Sequence, residues 1–232
     1  MSLRPSQAPD LAIAPSLRSR ALGGFGTCIL GGGALGATAW WTDQLGFPWT
    51  AFIPVNAIAA WLGVAFVLGA SARTIPTGAL RGLVGLLSAV AAYYLLIGLL
   101  GEGFRAIGAT HAATVWGAVA LLAGPLFGLA GATWRWGRGW PRAIAVGLLA
   151  AALIGEGASF GAGRLAHLDQ AIQDPGAVVL AAEIVLGAVL PWVLLPRGER
   201  LRGYLATIAL AVVAVTAIGP VVAFIRGAAD RF

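Results

Sequence analysis

Residues Ala143 to Gly163 read AIAVGLLAAALIGEGASFGAG. That is one bilayer crossing, since about 20 apolar residues rising 1.5 Å each span the hydrocarbon layer. A single acid, Glu156, interrupts it. Residues 177–192, AVVLAAEIVLGAVLPW, repeat the pattern around Glu183. A carboxyl group at membrane depth is disfavoured by roughly 2.5–3.5 kcal/mol on insertion scales, so it faces a protein interior or a wet cavity.

Working outward from these stretches, the rest of the chain has the same character. Apolar residues make up 59% of the 232 residues and charged residues only 10%, against about 45–50% and about 25% in soluble domains. Seven apolar segments can be drawn: Ala21 to Trp41, Phe52 to Ala72, Gly82 to Leu100, Thr114 to Trp134, Ala143 to Gly163, Val178 to Leu195 and Tyr204 to Ile225. The expected fold is all-α, an integral membrane bundle of seven transmembrane helices over residues 21–226. An N-terminal tail (1–20) is expected on the cytoplasmic side, uncleaved because no small-residue cleavage site follows its arginines, and a short C-terminal tail (227–232) outside.

Charge sets the orientation. All 15 cations are Arg. Arg4, Arg18, Arg20, Arg73, Arg81, Arg135, Arg138, Arg142, Arg197, Arg200 and Arg202 fall in the tail and in alternate links. The other side has Arg105, Arg164, Arg226 and Arg231, mixed with Asp43, Glu102, Asp169 and Asp174. The positive-inside rule puts the arginine-rich side in the cytoplasm of a bacterial cell, with the chain a multi-pass protein of its cytoplasmic membrane. Scattered in short loops, these arginines read as topology determinants and not as a nucleic-acid surface. The partners expected are membrane lipid and a hydrophobic small molecule.

Trp40, Trp41, Trp49 and Trp116 fall near the outer interface and Trp134, Trp136, Trp140 and Trp192 near the inner one, as aromatic belts do. Trp61 falls inside a span, where its indole N–H needs a partner. Gly32 with Gly36, Gly124 with Gly128 and Gly157 with Gly161 have the spacing that lets helix backbones approach, within one chain or across a homo-oligomer. Pro125, Pro191 and Pro220 are expected to kink their spans. The lone Cys28 reads as a small packed side chain.

The depths of the two glutamates match. Counted from the outer ends of their antiparallel segments, both lie roughly 8–11 Å down. Asn56, Tyr93, Tyr94 and Glu102 fall toward the same side, while the inner halves are apolar. This points to an outward pocket with Glu156 and Glu183 as catalytic acids and Trp61, Asn56, Tyr93, Tyr94 and Glu102 as substrate-binding residues. Two carboxyl groups sharing a low-dielectric site suit proton donation, and aromatic rings suit the cation that results. The bland alternative for each glutamate is a hydrogen bond to a neighbouring helix or pairing with an Arg, such as Arg164 for Glu156. His111 and His167 read as solvated link residues, and no metal or cofactor motif is present.

The runs AAYYLLIGLL (91–100), WGAVALLAGPLFGLAGA (116–132) and GEG (155–157) resemble a family of small, uncharacterised actinobacterial membrane proteins. In organisation alone the chain also resembles the seven-span membrane terpene cyclases, in which intramembrane acids protonate a prenyl chain. No motif carries their catalytic residues across. That resemblance implies a cofactor-free cyclase or isomerase of prenylated substrates, with Glu156 donating the proton and Glu183 steadying the cation. A second reading is a solute-binding or transport protein, resembling the substrate-capturing subunits of vitamin uptake systems. A third is a structural or assembly subunit.

Overall fold

Turn chemistry divides the apolar chain into helices. Thr74 accepts the Thr77 amide at 3.4 Å as an N-cap, with Pro76 in the first turn that follows. Gly139 turns the chain at φ 62°, a conformation that costs a side chain energy but glycine nothing. Its amide donates to Glu199 at 2.8 Å, tying two connectors together. The computed structural model describes residues 17–45, 57–100, 104–165 and 175–229, with side-chain surroundings inside 24–45, 57–100, 110–159 and 178–216. Among them are seven α-helices: α1 (Leu17–Gln44), α2 (Ile58–Ala70), α3 (Ile75–Leu100), α4 (Phe104–Trp136), α5 (Trp140–Leu165), α6 (Pro175–Leu194) and α7 (Arg200–Ala229), with a 3-10 turn at Arg197–Glu199.

Three of these helices are long and apolar enough to cross a membrane: Ile75–Leu100, Thr110–Trp136 and Trp140–Ser159. Side-chain distribution agrees. Leu30, Leu122 and Leu201 are 76%, 78% and 72% exposed, whereas most of the buried positions are Ala or Gly. Large apolar groups outside and small ones between helices suit lipid as solvent. The protein is a helical membrane protein.

Helix α3 packs between α1 and α4, α2 lies against α3 and α4, and α5 packs on α6 and α7. A contact between α4 and α5 joins the two groups. Glycine sets the spacing. A Cβ on Gly32 would collide with the Gly85 carbonyl, one on Gly36 with that of Ala89, and one on Gly128 with the backbone of Gly78 and Gly82. Around these contacts Phe66, Leu86, Val90, Phe127 and Leu149 form the main core. Cys28 is fully buried and donates to the Gly24 carbonyl at 3.2 Å, the packing role its position predicts.

Three helix starts depart from the hydropathy reading. Helix α3 starts at Ile75, seven residues ahead of the expected Gly82. Helix α4 starts at Phe104, ten residues ahead of the expected Thr114, and so includes His111. Apolar periodicity marks only the lipid-facing stretch, whereas the Ala-containing lead-in FRAIGATHAA is a good helix former outside it. Helix α2 has only 13 residues, Ile58–Ala70, about 20 Å of a segment expected to cross the bilayer. Its first turn includes the buried Ala59, in packed surroundings where free amides are costly.

Candidate functional site

The short helix α2 positions the site. Its N-cap is Ala57, which has no side-chain acceptor, so the first amides lack a local partner. Glu156, from α5, supplies one. Oε1 accepts the Ile58 amide at 2.9 Å and Oε2 the Ala59 amide at 2.6 Å. A carboxylate at the positive end of a helix satisfies two donors and complements the helix dipole. At the other end, Arg135 donates to the Ala70 carbonyl at 3.1 Å, Arg81 to Ser71 at 2.8 Å, and the Trp136 indole to Ala72 at 2.7 Å. Other helices thus hold α2 at both termini, with an anion at its start and cations at its end.

Above the first turn of α2 lies a cavity of about 300 Å³. Trp61, Tyr93, Tyr94 and Trp116 line it, together with aliphatic groups such as Leu86 and Val90. Tyr93 is edge-on to both ring neighbours: its centroid is 6.3 Å from Trp61 with planes at 74°, and 5.0 Å from Tyr94 with planes at 81°. Asp43, exposed near the end of α1, stands among the lining residues and accepts the Tyr93 hydroxyl at 2.5 Å. It is the one charged residue in the described lining. The chamber sits at the end of the bundle opposite the connectors that carry Arg73, Arg138 and Arg197.

The sequence match to DUF6518, a family of unknown function, runs over residues 15–226. The chain belongs to that family. The matched region holds every described residue of the chamber and both glutamates. No curated protein and no solved structure matches the chain.

Three of the expected binding residues, Trp61, Tyr93 and Tyr94, come together in the chamber of this family member. Asn56 and Glu102 lie outside the described residues. The two glutamates, each 7% exposed, lie on the packed faces of α5 and α6, where Gly157 meets Leu180 and Ile184. Neither is among the lining residues. Glu156 makes the hydrogen bond to a neighbouring helix that was its bland alternative. Glu183 Oε2 has no partner among the described residues. Ile58 links the pair to the chamber, lining it while its amide sits on Glu156.

Asp43 and Trp116 also line the chamber, although the sequence marks one only as an outer-link residue and the other as part of an interfacial belt; both positions follow from helix direction. α1 and α3 run toward the same end, which brings Asp43 level with Tyr93, and α4 starts there, which brings in Trp116.

Proposed function

We propose that this protein captures a compact small molecule in the aromatic chamber from the outer side of a bacterial cytoplasmic membrane, as a solute-binding or transport protein. It crosses that membrane seven times, with the N-terminus in the cytoplasm and the C-terminus outside. The arginines in and beside the connectors between α2 and α3, α4 and α5, and α6 and α7 support the orientation. The observation that carries the capture reading is the chamber of about 300 Å³ walled by Trp61, Tyr93, Tyr94 and Trp116. That volume is at the low end of the roughly 300–1,000 Å³ of small-molecule sites, which favours a compact ligand over a long prenyl chain.

A second reading, cyclisation or isomerisation of a prenylated lipid, is favoured by the same rings, because a carbocation is stabilised by aromatic quadrupoles. It needs an acid able to deliver a proton into the chamber. Glu156 is held on the amides of α2, and Asp43 accepts from Tyr93. Both observations favour the capture reading.

The test is binding and uptake of a solute panel by reconstituted wild type and by Ala123→Trp, which places an indole at the chamber wall. Saturable binding that the substitution abolishes, with the melting temperature kept, supports capture. Conversion of a prenylated epoxide by the wild type would move the cyclase reading to the front. Binding that Ala123→Trp leaves untouched would place the ligand elsewhere and end the chamber reading.

A further inference from the structure

The chamber's chemistry narrows what it takes, given that it is the ligand site. Within the described lining there is one charge, the carboxylate of Asp43, and no Arg. An anionic ligand would meet a like charge in the described lining. Trp61, Tyr93 and Tyr94 do not stack. Their planes turn by 74° and then 81°, so they form a corner and not a flat platform. A positive group lodged in such a corner approaches more than one ring, each with its negative quadrupole. Tyr93 joins the two elements, since its ring forms the corner and its hydroxyl fixes the Asp43 carboxylate at 2.5 Å.

We propose that the chamber binds a compact organic cation, an alkylated ammonium group seated in the corner of Trp61, Tyr93 and Tyr94 with its charge toward Asp43. Trp116, on α4, adds a fourth ring to the lining. The volume of about 300 Å³ admits a quaternary ammonium head with a short chain. Recognition is by charge and ring contact, and the aliphatic groups Leu86, Val90 and Ala120 exclude water from the remaining surface.

The experiment is isothermal titration of the purified full-length protein in detergent micelles with choline, with benzyltrimethylammonium, and with 3,3-dimethyl-1-butanol, the neutral isostere of choline. Saturable binding of a cation at least about 10-fold tighter than the isostere is expected. Asp43→Asn lowers cation affinity by about 10-fold and leaves the isostere unchanged. Asp43 is exposed, so this substitution leaves melting in place. Trp116→Leu, an independent variant, also weakens the cation more than the isostere.

Equal affinity for choline and its isostere, with both lost in Ala123→Trp, would overturn the cation assignment and keep the chamber as a ligand site. Absence of saturable binding by either cation, while another solute of the panel binds, would overturn the assignment in the same way. Cation binding indifferent to Asp43→Asn, Trp116→Leu and Ala123→Trp would remove both the cation assignment and the chamber reading.

Discussion

Glu156 on α5 accepts the amide of Ala59 at 2.6 Å, joining positions 97 residues apart at the first turn of α2. The contact makes an intramembrane acid part of the framework. A buried amide left without a partner costs about 1–3 kcal/mol, and Glu156 serves two of them. Glu156→Ala is therefore expected to destabilise the protein by about 2–5 kcal/mol. Glu156→Gln keeps only one accepting oxygen and loses about 1–2 kcal/mol. Denaturant unfolding in micelles reads both. A Glu156→Gln protein as stable as wild type but inactive would mean that Glu156 acts on a ligand and that its capping role is minor.

The opposite end of α2 gives a companion prediction. The Trp136 indole N–H donates to Ala72 at 2.7 Å, and phenylalanine has no such donor. Trp136→Phe should cost about 1–2 kcal/mol. The two ends of α2 are about 20 Å apart, beyond the 7–10 Å within which substitutions usually couple. The double variant Glu156→Gln/Trp136→Phe should thus equal the sum of the singles within about 0.5 kcal/mol. A much larger loss would show α2 leaving the bundle as one unit.

How far the sequence reached depends on which physical signal each residue leaves. The common level of Glu156 and Glu183 was legible, because it needs only helix rise and antiparallel neighbours, and Gly157 does pack against Leu180 and Ile184. Trp61, Tyr93 and Tyr94 were legible for the same reason. The occupation of Glu156 by the amides of Ile58 and Ala59 was not legible. It follows from where α2 begins, and hydropathy runs unbroken through a helix that starts inside an apolar segment. Nor could the sequence show Asp43 turned onto Tyr93, since a carboxylate near a helix end reads equally well as solvated.

Glycine packing predicts effects of opposite sign within one chain. A Cβ on Gly33 meets nothing within 4 Å. Gly33→Ala should raise stability by about 0.4–1 kcal/mol through lower entropy of the unfolded chain. Gly128→Ala carries the same propensity gain but drives its methyl into the backbone of α3 at Gly78 and Gly82, which cannot yield without separating α3 from α4. Overpacking of that kind costs about 1–3 kcal/mol, so the net effect is loss. Matched unfolding curves decide it, and a stabilised Gly128→Ala would mean that α3 and α4 are further apart than described.

Orientation can be tested with the chain's own chemistry. Cys28 is the single cysteine and fully buried, so Cys28→Ala gives a silent background. Gln44, beside Asp43 at the chamber end, and Arg138, in the connector between α4 and α5, are both exposed. Arg73, Arg138 and Arg197 sit at one end of the bundle, and moving such residues across a membrane is what the positive-inside bias opposes. On intact cells a membrane-impermeant maleimide should label Gln44→Cys and not Arg138→Cys. Permeabilised cells should give both. The reverse pattern would place the chamber mouth in the cytoplasm, where Asp43 and its rings would draw their ligand from inside the cell.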